Sequence, residues 1–348
     1  MRKAQAKRPR VLVAAAAALL AIGGVMAAIG STADPDSGNS GGMEDGTMQF
    51  PVRDRASGPF PRDFVPIELI APNVKHAQRR PTGSAGSFIS PCGTNAEGHR
   101  NSDNFMVTPG KVNGSQHVHD YVGNLSTDAL STAQSLAAAG TTCTNGDLST
   151  YSWPVLRNTA ASGSDARAHG GGLDGNFGEI LRPATVQLQF RGNAAARVTA
   201  MPGNLGIMTG NAKAVADSVA NANAAWTCTG FEDRTTAKYP LCPQGSRLVR
   251  ILDFPSCWDG KNLHPADHQT LIHVVFPQQD GSCGGGTVAV PQLRITLTYD
   301  RPAGSEFAVD AFPEQQHNPV TDHAVFMNLM PTAVMAQAVN CINTDRAC

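Results

Sequence analysis

Eight cysteines stand downstream of an export segment, and this pairing restricts the fold more than any other feature. They are Cys92, Cys143, Cys228, Cys242, Cys257, Cys283, Cys341 and Cys348. Thiols in an exported chain oxidise, so an even set predicts a disulfide-stapled domain. None is spaced as C-x-x-C, which weakens the zinc-ribbon and thioredoxin-like readings. Counting leaves the connectivity open. The simplest local choice pairs them in chain order: Cys92–Cys143, Cys228–Cys242, Cys257–Cys283 and Cys341–Cys348.

The export segment is residues 1–33. Arg2, Lys3, Lys7, Arg8 and Arg10 precede an uncharged, mostly apolar run from Val11 to Gly30. Ser31, Thr32 and Ala33 then supply the small residues a signal peptidase accepts. The run also suffices to cross a bilayer, which takes about 20 residues. The expectation is a signal peptide or an uncleaved anchor with its basic end inside the cell. Either way the remaining chain is exported, secreted or held at the outer face of the cell membrane, and meets the membrane only through this segment.

The formal charge is −1 and becomes −6 once those five basic residues are set aside, because no acid precedes Asp34. A mildly acidic exported domain lacks the clustered Lys/Arg that phosphate contacts need, so nucleic acid is excluded as a partner. Residues 34–62 are rich in Gly, Ser, Pro and Asp, and 34–84 is expected to be a flexible, mostly disordered tether. A single globular domain is expected over 85–348.

The 35 Gly and 23 Pro imply many turns and a β-rich fold. Strand alternation is clearest at 185–190 (TVQLQF) and 293–299 (LRITLTY), with shorter candidates at 247–252 and 272–276. Helices are expected at 126–140, 211–226, 321–330 and 332–342, with Thr321 as an N-cap and Pro331 as an interruption. The fold class is therefore mainly β, a β-sandwich or jelly-roll-like core with a few peripheral helices.

Three stretches carry residues fit for chemistry. In SQHVHDYVGN (115–124), His117 and His119 share one face of a strand and Asp120 takes the other. Two imidazoles on one face suit a divalent transition metal. In FPSCWDGKNLHPADHQTLIHVVFP (254–277), Asp259, Asp267 and His268 offer carboxylates beside a histidine, an acid/base arrangement. Asp259 also sits in a turn-forming Asp-Gly. In HNPVTDHAVFMN (317–328), Asp322 and His323 fall where the first turn of a helix is expected. There is no G-x-S-x-G, H-E-x-x-H or Walker loop.

These stretches, with AAAGTTC (137–143) followed by YSWPVL (151–156), and VPQLRITLTY (290–299), occur in an order that resembles the DUF1996 family of domains of unknown function. The resemblance spans about residues 87–330. It implies an extracellular protein of a kind found in fungi and actinobacteria, sometimes joined to carbohydrate-binding modules, and it implies no reaction. Positions matching its motifs are His117, His119, Asp120, Cys257, Trp258, Asp259, Gly260, Asp267, His268 and His323. Val325 stands where the family pattern has an aspartate, His264 where it has an acid, and Met330 where it has a tryptophan.

The function expected from these readings is a His/Asp-site hydrolase or lyase acting on cell-wall or other extracellular polysaccharide, with a divalent metal as a possible aid. His117, His119, Asp259, Asp267, His268 and His323 are the expected catalytic set, and His117 and His119 the expected metal ligands. The alternatives are a non-catalytic carbohydrate- or wall-binding module and a disulfide-stapled structural protein.

Overall fold

A computed structural model describes residues 58–264, 273–300 and 304–348. The export segment, Asp267 and His268 lie outside the described residues. Among those residues no helix is long and apolar enough to cross a membrane.

Ten strands build two five-stranded antiparallel sheets: β1 (Ser87–Ser90), β2 (Arg100–Asn101), β3 (His119–Gly123), β4 (Thr150–Pro154), β5 (Thr185–Arg191), β6 (Gly206–Gly210), β7 (Ala225–Cys228), β8 (Leu248–Asp253), β9 (Gln292–Tyr299) and β10 (His323–Met327). One sheet runs β7-β8-β9-β5-β1 and the other β2-β3-β4-β10-β6. They face each other as a sandwich. Phe190 of β5 meets Tyr151 of β4 and Phe326 of β10, with ring centroids 6.5 and 5.9 Å apart. Smaller sheets flank this core.

The alternation read in β9 is kept: Leu293, Ile295, Leu297 and Tyr299 are buried, while their neighbours are half-buried. Each such aliphatic side chain stabilises the fold by about 1.5–3 kcal/mol on burial. All eight cysteines are oxidised, and they pair in chain order. Helix α2 (Thr332–Asn343) follows Pro331 and buries Met335, Ala338, Cys341 and Ile342 along one side. The Cys341–Cys348 bridge then turns the C-terminal residues onto β1, where Cys348 N–H donates to the Ser87 carbonyl and Ile89 N–H to the Cys348 carbonyl. An edge strand is thereby covered.

Four local expectations are corrected. The described part of the expected tether is folded: Phe64–Pro66 pairs in parallel with Tyr239–Leu241, and Ile67 is fully buried. Two apolar anchors suffice to dock a Gly/Pro-rich stretch. In 126–140 only α1 (Ala133–Ala137) is helical, capped by Thr132. Upstream of it, Asp128 and Ser131 side chains take the backbone groups a helix would need. Residues 211–224 form turns, with the Asn211 amide donating to the Ser218 and Ala220 carbonyls. The stretch 321–330, read as helical, contains strand β10. The cap signal is real but belongs to Asn318, which caps the short 3-10 turn Pro319–Thr321. Pairing with β4 on one side and β6 on the other then overrides helix propensity.

Register places the site. His119 lies opposite Pro154, and His323 opposite Gly210. Val325 lies opposite Ser152, so the same register brings His323 level with Pro154. His119, Pro154, His323 and Gly210 thus form one row on the outer face of the second sheet. Val122, Tyr151, Phe326 and Ile207 form a row on the inner face and pack into the core.

Candidate functional site

His119 and His323 begin their strands with only the compact ring of Pro154 between them, so their side chains can lean together. His117 is two residues before His119, and its segment is held from both sides. Val118 N–H donates to the Asp310 carboxylate at 3.2 Å, and the Val118 carbonyl accepts from Val155 N–H at 2.9 Å. The three imidazoles converge. Nε2 of His323 lies 3.2 Å from Nε2 of His117 and 3.3 Å from Nε2 of His119. All three rings are buried.

These distances suit an ion. Zinc–nitrogen bonds of about 2.0–2.1 Å in a tetrahedron place two ligand nitrogens about 3.3 Å apart. Nδ1 of His323 donates to the Thr321 carbonyl at 2.8 Å, so its Nε2 carries the free lone pair. Two other imidazoles face that single lone pair, which satisfies one N–H donor well and two poorly. Three lone pairs directed at one cation resolve the conflict. Nδ1 of His119 has no hydrogen-bond partner, and Nδ1 of His117 has none of ordinary geometry, although a backbone interaction with Ser115 favours the charged form of His117.

Electrostatics keeps the cluster uncharged. Burial pushes His117 well below the usual imidazole range, and repulsion from His119 and His323 adds to it. Burial likewise lowers His119 strongly, with His323 and then Arg250 contributing. His323 is lowered by burial, against the opposing hydrogen bond to Thr321. A neutral imidazole is the form that binds a metal.

This has a consequence for stability. An unfolded histidine titrates near 6.5, and all three fold into sites with lower values. Below about pH 6.5 the unfolded chain takes up protons that the native cluster refuses, so stability falls as pH falls. Each histidine contributes up to about 1.4 kcal/mol per pH unit until its folded value is reached. Thermal unfolding of chelator-treated protein is expected to show a midpoint that drops steeply below about pH 6.5. A midpoint flat down to about pH 5 would contradict neutral burial of the cluster.

Among the described residues no carboxylate joins the three histidines as a ligand. Oxygen-preferring calcium and magnesium do not fit an all-nitrogen set, whereas zinc, copper, nickel and iron do. The described residues supply three protein ligands, the number of a catalytic rather than a structural site. A second grouping, Cys92, Cys143 and Asp147, does not fit a metal, because both sulfurs are spent in a disulfide.

His117 and His323 border a cleft of about 530 Å³. Its walls carry the amides of Asn104, Gln116, Asn211 and Asn221, and its charges balance, with Lys111 and Lys213 against Asp217 and Glu314. The Phe312 ring stands edge-on to His117 at 5.0 Å, with the Lys213 ammonium 5.1 Å from its centroid.

Among the described residues, the other positions singled out in the sequence do not join the cluster. Asp120 points to the inner face, as alternation requires, and binds Arg100 at 2.6 Å and Asn95 at 2.8 Å. Asp259 closes a turn by accepting from Lys261 N–H, Asn262 N–H and the Asn262 amide. Its backbone N–H donates to the His273 carbonyl, and Nε2 of His273 donates to the Gly206 carbonyl at 2.7 Å. Gly206 stands four residues along β6 from Gly210, the partner of His323, a distance of about 13 Å along a strand. His264 also lies beside Gly206, with Nδ1 3.0 Å from the position a Cβ there would take. Asp322 turns inward to Arg250. Val325 shares the outer face with His323 but packs with Met106 and Met327. Arg250 and Phe312 lie in no motif that the sequence offered, and Pro154 and Thr321 lie in motif stretches whose spacing gives no sign of their place at the site.

No curated protein and no solved structure matches the chain. Residues 105–329 match the family model described as Domain of unknown function (DUF1996). That span holds all three histidines and covers more than half of the 348 residues. The chain belongs to the DUF1996 family.

Proposed function

We propose that His117, His119 and His323 hold a transition-metal ion whose open position faces the cleft, and that the protein acts there on an extracellular polysaccharide. The observation that carries this reading is the convergence of three neutral Nε2 atoms with no acid among them. When bound, such an ion supplies Lewis acidity to a substrate or water oxygen. The chain's own residues do the rest. The Thr321 carbonyl fixes the His323 tautomer. Phe312 offers an apolar ring beside His117, and the amide-lined walls offer donors and acceptors to a hydroxyl-rich chain.

Balanced charge in the cleft favours a neutral polymer over a strongly ionic one, and four disulfides fit an extracellular setting. Hydrolysis or elimination at a glycosidic bond then relies on the ion, with Asp217 and Glu314 as the described carboxylates that line the same cleft. A purely structural role for the cluster is disfavoured by the convergence of two further imidazoles on the single Nε2 lone pair of His323.

Elemental analysis of the purified full chain tests the reading. About one zinc, copper, nickel or iron per chain is expected, and its loss in His117→Ala and in His119→Ala. Metal-free wild-type protein after purification in metal-replete medium would sink it. Retention on wall polysaccharide without product release would place the protein among binding modules instead.

A further inference from the structure

We infer that Arg250 is a positioning residue of the three-histidine centre, reaching across from the facing sheet to tie together the strand ends that carry His119 and His323. This rests on the metal reading of those histidines. Arg250 belongs to β8, in the sheet that lacks the histidines, and is fully buried. Its Nη1 donates to the Pro154 carbonyl at 2.9 Å and to the Tyr299 hydroxyl at 3.1 Å. Its Nε and Nη2 donate to the two oxygens of Asp322 at 3.1 and 2.5 Å. Trp226 and Tyr299 rings flank the guanidinium, with centroids 5.2 and 5.9 Å away.

Two of the three polar targets bear on the site. Pro154 is the cross-strand partner of His119 and stands level with His323. Asp322 immediately precedes His323 and follows Thr321, whose carbonyl orients the His323 ring. One planar fork therefore sets the end of β4 and the start of β10 relative to each other. A rigid guanidinium holds such a two-sided grip, and a flexible ammonium does not.

Charge alone does not account for the arrangement. An isolated buried cation beside a metal site would oppose the ion. Paired with Asp322, which opposes it at His323, its charge is offset in part, and the two-sided grip supplies the geometry. The pair is also a poor source of net stability, since buried ion pairs seldom outweigh their desolvation cost. A role in fixing ligand spacing explains why this position holds an arginine.

Cobalt(II) is the probe, because its visible absorption reports coordination geometry, and the full chain is used throughout. Arg250→Ala is unsuitable, since it strands a buried Asp322. The paired variant Arg250→Met/Asp322→Leu replaces the ion pair by apolar groups and is expected to stay folded. It should bind cobalt about 10–100-fold more weakly than wild type, as loss of an outer partner does, with an altered absorption envelope. Arg250→Lys, which keeps the charge but not the fork, should be weakened in the same direction. Wild-type affinity and spectrum in either variant overturns the positioning role alone. Failure of the wild type to bind cobalt overturns the metal reading and this inference with it. Thermal unfolding of each metal-free variant separates loss of ligand geometry from loss of fold.

Discussion

His323→Ala is expected to abolish metal binding, with affinity falling at least about 100-fold, beyond the range that loss of an outer-shell partner typically costs. The reason is the place of His323 in the cluster. Its Nε2 lies within hydrogen-bonding distance of Nε2 of both other imidazoles, at 3.2 and 3.3 Å. It is also the ring whose tautomer is fixed, through Nδ1 and the Thr321 carbonyl. Without it two imidazoles remain, neither with a hydrogen bond of ordinary geometry at Nδ1, and neither their tautomer nor their aim is enforced. The metal-free fold should tolerate the change better than the site does. One buried, desolvated base is removed, together with its repulsion of His117 and His119. The acid-induced fall in stability should therefore become shallower in His323→Ala, even as metal is lost. Asp259→Ala serves as the contrast, because Asp259 only closes an exposed turn, and its metal content should equal that of the wild type. Titration with a chromophoric chelator measures both variants. Near-native affinity in His323→Ala, or a loss as large in Asp259→Ala, would show that the centre is built elsewhere.

How much of this site could be read from sequence follows from the range of each interaction. The placing of His117 and His119 on one face, with Asp120 on the other, is a property of one strand, and period-two alternation reveals it. Strands β5 and β9 were legible for the same reason, since each has one buried face. The third histidine lies about 200 residues away from the pair in the chain, and only the family resemblance joined it to them. Its strand was misread because every residue of β10 is buried. A strand covered on both faces shows no alternation, and a short apolar run after a Ser/Thr cap signal then reads as helix. Asp259 misled in the opposite way. Its neighbours in sequence include histidines, but its oxygens are used by the turn it forms. The roles of Arg250 and of Pro154, which lies within the quoted YSWPVL stretch, were invisible because they come from the packing of one sheet on another and the pairing of distant strands, which leave no spacing rule in the chain.

Asp310→Ala is expected to be among the most destabilising single substitutions at a polar position, costing about 3–5 kcal/mol, as breaking a buried ion pair does. The Asp310 carboxylate is fully buried and accepts from Nε and Nη2 of Arg157, itself fully buried. Arg157 also holds Asp165 and the Gly178 carbonyl, so its removal from water was matched donor by donor. Deleting Asp310 leaves two of the five donors of that guanidinium without an acceptor in the interior. It also frees Val118 N–H, the backbone group between His117 and His119. Two measurements should therefore move together. The unfolding midpoint should fall by roughly 10 °C, at about 2–4 °C per kcal/mol for a large domain. Metal affinity should fall as well, by about 10–100-fold, because the segment carrying His117 loses its anchor. Asp280→Ala removes an equally short ion pair, to Arg80 at 2.6 Å, but both partners there are half-exposed. Its expected effect on the midpoint is small, because solvent screens an exposed pair. The Arg157→Met/Asp310→Leu pair separates the two roles of Asp310. Apolar replacement should restore much of the stability while Val118 still lacks its acceptor, so the midpoint should recover and the metal affinity should not. Equal midpoints for Asp310→Ala and Asp280→Ala would show that burial does not set the cost, and recovery of both quantities in the paired variant would show that the Val118 contact has no part in holding His117.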